Sequence, residues 1–151
     1  MITEPVNNGE TPIGARIHEN CVVCGPSNNS GLHVQFTQLD DGSTQASFGC
    51  GKAFEGYAGR LHGGVISALL DGVMTHCIFA RGDVGVTGEL KTRYRHPVVT
   101  DRTAIVRGWI KRCSPPLYLM EAELLQDGQV KVTATAKFMN QPQLAENGNA
   151  R

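Results

Sequence analysis

No surplus of charge marks this chain: Lys plus Arg and Asp plus Glu each number 14. Without a global field, neither nucleic acid nor an anionic membrane is an expected partner. The opening MITEPVNNGE lacks the basic and apolar regions of a secretory leader, so a cytoplasmic location is expected. The longest apolar stretch is interrupted by Asp71 and is read as too short to cross a bilayer. There is no GxxxxGK loop to cradle phosphates and no GxSxG elbow to present a nucleophilic serine. The cysteines, Cys21, Cys24, Cys50, Cys77 and Cys113, are odd in number, and free, partly buried thiols are expected rather than a disulfide framework. Cys21 and Cys24 form a CxxC that His18 precedes at the same spacing. One such half-site falls short of the four ligands of a structural zinc centre, and His33 sits on the solvent side of an expected strand, so no metal is expected.

What is present fits one domain. The length is 151 residues and 40% are hydrophobic, enough for a sizeable core. Residues 1–19 and 141–151 are polar and without periodicity, and are expected as flexible termini around a domain at 20–140. In LHVQFTQL, Leu32, Val34 and Phe36 alternate with His33, Gln35 and Thr37; in STQASFGC, Ala46, Phe48 and Cys50 alternate with Gln45 and Ser47. Asp40-Asp41-Gly42 between them reads as a hairpin turn. After a glycine-rich connection and one long helix come four more strand patterns, the first ended by Pro97 and the last two joined at Asp127-Gly128. The expected order is β-β-α-β-β-β-β, an α+β architecture. One helix is all that can cover the apolar face, so the antiparallel sheet must curve around it.

On that helix Val65, Ile66, Leu69, Leu70, Val73, Met74, Cys77 and Ile78 fill a wide apolar arc. The remaining arc holds Gly64, Ala68, Asp71, Gly72 and Thr75, and no Lys, Arg or Glu occurs between Leu61 and Ala80. A strip of small residues expects close contact with a partner subunit or a ligand, which favours a homo-oligomer. Asp71 is either a carboxylate held by structural hydrogen bonds or one with a chemical role, and the uncharged surroundings favour the second. Gly63 and Gly64 are poor helix formers, so propensity does not explain them. They either make a tight turn or expose helix N-terminal N–H groups to a ligand oxygen. Cys77 and His76 are adjacent on a helix and point in different directions, which argues against a thiol nucleophile.

LHGGVISALLDGVM resembles the central-helix signature of the hotdog-fold acyl-CoA thioesterases of the phenylacetate-pathway type. CVVCGPSNNSGLHVQF is similar to the CxxCGxxNxxGL opening of many members, and FEGYAGRLHGG to their loop before the helix. VTGELKTRYRHPVVTDR resembles the strand that follows, and the likeness spans about residues 20–139. It implies a hotdog fold, a curved antiparallel sheet wrapped around the helix. It also implies a homodimer, or a dimer of dimers, with active sites at the subunit interface. The implied substrate is an acyl-CoA or acyl-carrier-protein thioester, and the implied cofactor is none beyond the CoA of the substrate. Carried over by position, the Gly63 N–H faces the thioester carbonyl and Asp71 is general base or nucleophile. Thr87 orients the water or the carboxylate, and His62 holds the loop or touches the thioester region. Gly64, Tyr57, Phe54 and Met74 are candidates for binding substrate, and Arg93 and Arg95 for the CoA phosphates.

Strict alternation puts Thr87 on the polar side of its strand, opposite Val86. Its role therefore needs a bulge, or a strand start that faces the partner. Two positions depart from the family pattern: Gly72 where many relatives carry Glu, widening the expected pocket wall, and Gly56 where some carry Asn. They keep open a second reading, a non-catalytic dimeric module that binds acyl thioesters or CoA. A dehydratase using His62 is a weaker one.

Overall fold

The computed structural model describes Gly14 and residues 17–147; the rest of the termini expected to be flexible lies outside these. Six strands form a single sheet among the described residues: β1 (Thr37–Gln38), β2 (Thr44–Gly49), β3 (Gly85–Tyr94), β4 (Thr103–Ser114), β5 (Leu117–Gln126) and β6 (Gln129–Asn140). Their order is β1-β2-β4-β5-β6-β3 and every neighbouring pair is antiparallel. Helix α1 (Gly63–Phe79) comes between β2 and β3, and a short helix α2 (Gln143–Asn147) opens the polar C-terminal tail. This is the expected α+β hotdog order.

The period of two explains why the sheet has one dry face. Along β5, Tyr118, Met120, Ala122 and Leu124 are buried; along β6, Val132, Ala134, Ala136 and Phe138 are. Against them lie Leu69, Leu70, Val73, Met74, Cys77 and Ile78 of α1. Each large apolar side chain so buried contributes about 1.5–3 kcal/mol. A Cβ on Gly108 would stand 3.1 Å from Val73 Cγ1, so this glycine sets how closely β4 approaches the helix. The Asp127-Gly128 turn has both residues at positive φ, 53° and 75°, as a two-residue hairpin of this hand requires. By length and composition alone Gly63–Ala80, with a mean hydropathy of 1.5, could cross a membrane. That corrects the reading of this stretch as too short; in the fold its apolar arc lies on the sheet.

The first strand is where the structure departs most from the alternation. Only Thr37 and Gln38 pair with β2. Upstream, His33 turns the backbone to φ 52°, and the Leu32 and Val34 N–H groups donate to the Val22 and Val23 carbonyls at 2.8 and 2.9 Å. The apolar residues of 32–36 therefore alternate against the CxxC turn and the helix flank, not within a sheet. This segment also covers part of the small-residue strip: a Cβ on Gly72 would lie 2.9 Å from Val23 Cγ1 and 3.1 Å from Phe36 Cζ. Gly72 is thus a seat for the chain's own N-terminal segment, not a widened pocket wall. Gly72→Ala should destabilise the fold by about 1 kcal/mol, overpacking of about 1–3 kcal/mol outweighing a propensity gain near 1 kcal/mol. Urea denaturation measures it; an unchanged or raised midpoint counts against this seating.

Candidate active site

The start of α1 is built by the residues around the paired glycines. His62 is the N-cap, in extended backbone at φ −62° and ψ 134°, and its Nδ1 accepts the Gly64 N–H at 2.8 Å. The Gly64 N–H is therefore taken by the cap. The Gly63 N–H has no acceptor among the described residues. Tyr94 closes the other side, its hydroxyl donating to the Gly63 carbonyl at 2.8 Å and lying 2.7 Å from Ser67 Oγ. Gly63 opens onto a cavity of about 770 Å³ whose wall includes Tyr57, Arg60, His62, Tyr94, Arg95 and His96. The glycine-rich loop is held by bridges Glu55–Leu61 and Arg60–Val99. A Cβ on Gly56 would stand 3.2 Å from the His62 ring, so the side chain that some relatives place there would press on this cap.

Asp71 lies two turns further along, half-buried, and accepts a hydrogen bond from Thr87 Oγ1 at 2.6 Å. A bulge makes this contact possible. The register of β3 on β6 shifts between Thr87 and Glu89, leaving Gly88 as the extra residue. Thr87 pairs opposite Phe138 and after the bulge Leu90 pairs opposite Ala136, both inward-facing partners, while Val86 is turned out and 43% exposed. Strict alternation is inverted by one residue. Burial pushes the Asp71 carboxyl above its ordinary pKa; the Thr87 hydrogen bond and the nearby His18 pull the other way and do not cancel it.

Gly63 and Asp71 are eight residues apart on one helix, so at the α-helical rise they stand about 12 Å apart. A bound carbonyl and the group that attacks its carbon must lie within about 3–3.5 Å of each other. The axial separation along α1 exceeds that distance.

A family model described as the Thioesterase superfamily matches residues 58–135, more than half of the chain. The chain belongs to the thioesterase superfamily. Its fold is similar to that of a thioesterase superfamily protein of known crystal structure, with a TM-score of 0.72 at 28% identity. That match covers 76% of this chain and 60% of the relative, so the chain spans less than two thirds of that relative's length. A phenylacetic acid degradation-related protein from Ralstonia eutropha JMP134 gives a TM-score of 0.69 at 24% identity, covering 85% of this chain and 99% of that one. A hypothetical thioesterase from Streptococcus pneumoniae TIGR4, solved with coenzyme A, gives 0.68 at 19% identity, covering 72% and 89%. The same protein has been solved with an aspartate, and separately a threonine, changed to alanine. Among curated proteins, none matches.

The remaining candidates separate cleanly on this thioesterase fold. Tyr57, 86% exposed, and Arg95 line the cavity at the Gly63 end. Arg93 is exposed on β3 but is not part of that wall. Phe54 packs at 5.4 Å on the core ring of Phe48, and Met74 is wholly buried, so neither lines this cavity. Met74 belongs to the core because its helix face meets the sheet, and Phe54 is a partly buried residue packed against that core. Arg60 and His96 are cavity residues without a sequence signal: each lies in an irregular segment with no periodicity to give its direction.

Proposed function

We propose that this thioesterase superfamily protein hydrolyses acyl-CoA thioesters, in sites assembled from two copies of the chain. The observation that carries the reading is the Asp71–Thr87 pair. It is a half-buried carboxylate with one oxygen anchored at 2.6 Å and its pKa raised, on the same helix as a Gly63 N–H that has no acceptor among the described residues. The aspartate and threonine changed in the pneumococcal protein are sixteen residues apart, the spacing of Asp71 and Thr87, which supports the pairing.

The thioester oxygen sits on the Gly63 N–H of one copy, and the N–H and the helix dipole stabilise the charge that grows on it. Asp71 of the other copy takes a proton from a water through its free oxygen while that water attacks the carbonyl carbon. The tetrahedral intermediate then expels the CoA thiolate, which picks up a proton. A thiolate leaves readily, so one base and one donor suffice. Direct attack by Asp71, giving a mixed anhydride that water then cleaves, is the competing route; a raised pKa favours the base.

The 12 Å gap calls for a two-fold dimer with the helices antiparallel, the start of one beside the middle of the other. Two features support it. Strand β3 has no partner on its outer edge among the described residues, leaving backbone groups free to pair with a second β3, and Val86 is exposed along it. Arg60 and Arg95 at the cavity wall supply charge for the CoA phosphates. The cytoplasm, which holds CoA and keeps thiols reduced, fits the free cysteines.

A panel of short, long and aromatic acyl-CoAs, followed by thiol release, tests the reaction. Turnover on at least one class is expected; binding without turnover on all of them leaves the non-catalytic module. Thr87→Val adds a finer check. Without the hydroxyl, Asp71 loses the bond that favours its ionised form, so the acidic limb of the kcat–pH profile should move to higher pH, with kcat down about tenfold. An unmoved limb would show that Thr87 does not act through Asp71.

A further inference from the structure

Outside the catalytic pair, a second set of reactive side chains gathers where the N-terminal segment meets the far half of α1. The chain from His18 to Gly25 turns tightly: the Cys21 N–H donates to the His18 carbonyl at 3.1 Å, and the Gly25 N–H to the Cys21 carbonyl at 2.8 Å. A Cβ on Gly25 would fall 2.3 Å from the Cys21 nitrogen, so the CxxC closes this way only with glycine after it. The Val23 N–H donates to Cys21 Sγ at 3.4 Å. Cys24 Sγ stands 3.5 Å from His18 Nδ1. His76, five residues beyond Asp71 on α1, completes the group. One donor atom each from His18, Cys24 and His76 lie within 4.8 Å of one another.

The His76 ring is otherwise unexplained. Its Nε2 is buried and has no hydrogen-bond partner among the described residues, a rare condition for a polar atom. Phe36 stacks on the ring at 4.4 Å and Phe79 meets its edge at 5.1 Å, while Phe79 also lies 4.9 Å from the His18 ring. Among the described residues these rings shield the cluster and offer that nitrogen neither acceptor nor donor.

We propose that His18, Cys24 and His76 bind one zinc ion that clamps the N-terminal segment onto α1, with Cys21, which stands outside that group of three but belongs to the same CxxC, turning in as the fourth ligand. Two imidazoles and two thiolates are the donor set of a tetrahedral zinc site, whose ligand atoms stand roughly 3.5 Å apart. Four protein ligands leave no open coordination position, so the ion is structural and takes no part in the hydrolysis. Asp71 is not among the ligands. The clamp fixes Val23 and Phe36 over Gly72, next to the helix turn that carries Asp71. A Cys21–Cys24 disulfide would leave both imidazoles without a role.

Metal analysis of the full chain, purified without chelators, tests this directly and independently of activity. About one zinc per chain is expected, and exchange for cobalt should give the intense visible bands of a tetrahedral thiolate site. Cys24→Ser and His76→Asn should each lose the metal, whereas Cys113→Ser should keep it. A chelator should lower the Tm of the wild-type chain. Wild-type protein with only trace zinc and no tetrahedral cobalt spectrum overturns the proposal, as does full zinc in both Cys24→Ser and His76→Asn. Because the wild type is itself measured, failure of a variant to fold does not decide the matter.

Discussion

Asp71→Asn should lower kcat on any accepted acyl-CoA by roughly 100- to 10,000-fold while raising the Tm at neutral pH. The first effect follows from chemistry. Asparagine fills the same volume and can still accept from Thr87 Oγ1, but it cannot take a proton from water. The second follows from burial, which raises the Asp71 pKa in the folded chain above its value in the unfolded one. A group shifted in this direction contributes its stability below the unfolded pKa, and that contribution is lost as pH rises through the folded value. At neutral pH the wild type therefore holds a charge that the fold disfavours, and the neutral amide does not. The Tm gain should be present at pH 7 and shrink at pH values below the ordinary carboxylate range, where both side chains are uncharged. Thermal denaturation at several pH values alongside thiol-release kinetics reads both effects. A variant with near wild-type kcat sinks the base; a lower Tm at pH 7 sinks the account of the carboxylate's surroundings.

How much of this was legible depends on whether the signal was local. Strand β5, and β6 from Val132 to Phe138, read correctly because one face meets α1 and the other does not, so burial follows sequence parity there. The hairpins read correctly because glycine after aspartate meets a positive-φ demand at Gly42 and Gly128. Thr87 stands on the wrong side in a strict alternation because Gly88 adds one residue, and one residue inverts every direction before it. Residues 32–36 alternate as a strand would, yet their partner is a helix flank, and alternation does not say what the buried side touches. His76 is the extreme case. Beside Cys77 in sequence it reads only as a misdirected partner for that thiol, and only the fold carries it to a CxxC more than fifty residues away.

Gly63→Pro should reduce kcat by about 100- to 1,000-fold with the helix intact, the loss expected on removing a single oxyanion donor. Proline is favoured at the first helical position, where its missing N–H would have no intrahelical partner. His62 already has the extended backbone that a residue before proline requires. A Cβ at position 63 meets the Tyr94 ring at 3.6 Å, an ordinary contact. The substitution therefore removes the donor and little else, and Gly63→Ala, which keeps the N–H, is its control. Joined with Asp71→Asn, it also tests where each site gets its parts. In a dimer of one Gly63→Pro chain and one Asp71→Asn chain, a site built across the two copies exists once with both defects and once with none. If each chain built its own site, both sites would be defective. Unfolding the two inactive variants together and refolding the mixture should restore about a quarter of wild-type activity, since half of the dimers are mixed and each has one intact site. No recovery, in a mixture shown to contain mixed dimers, would mean that one copy supplies both groups and would sink the shared site.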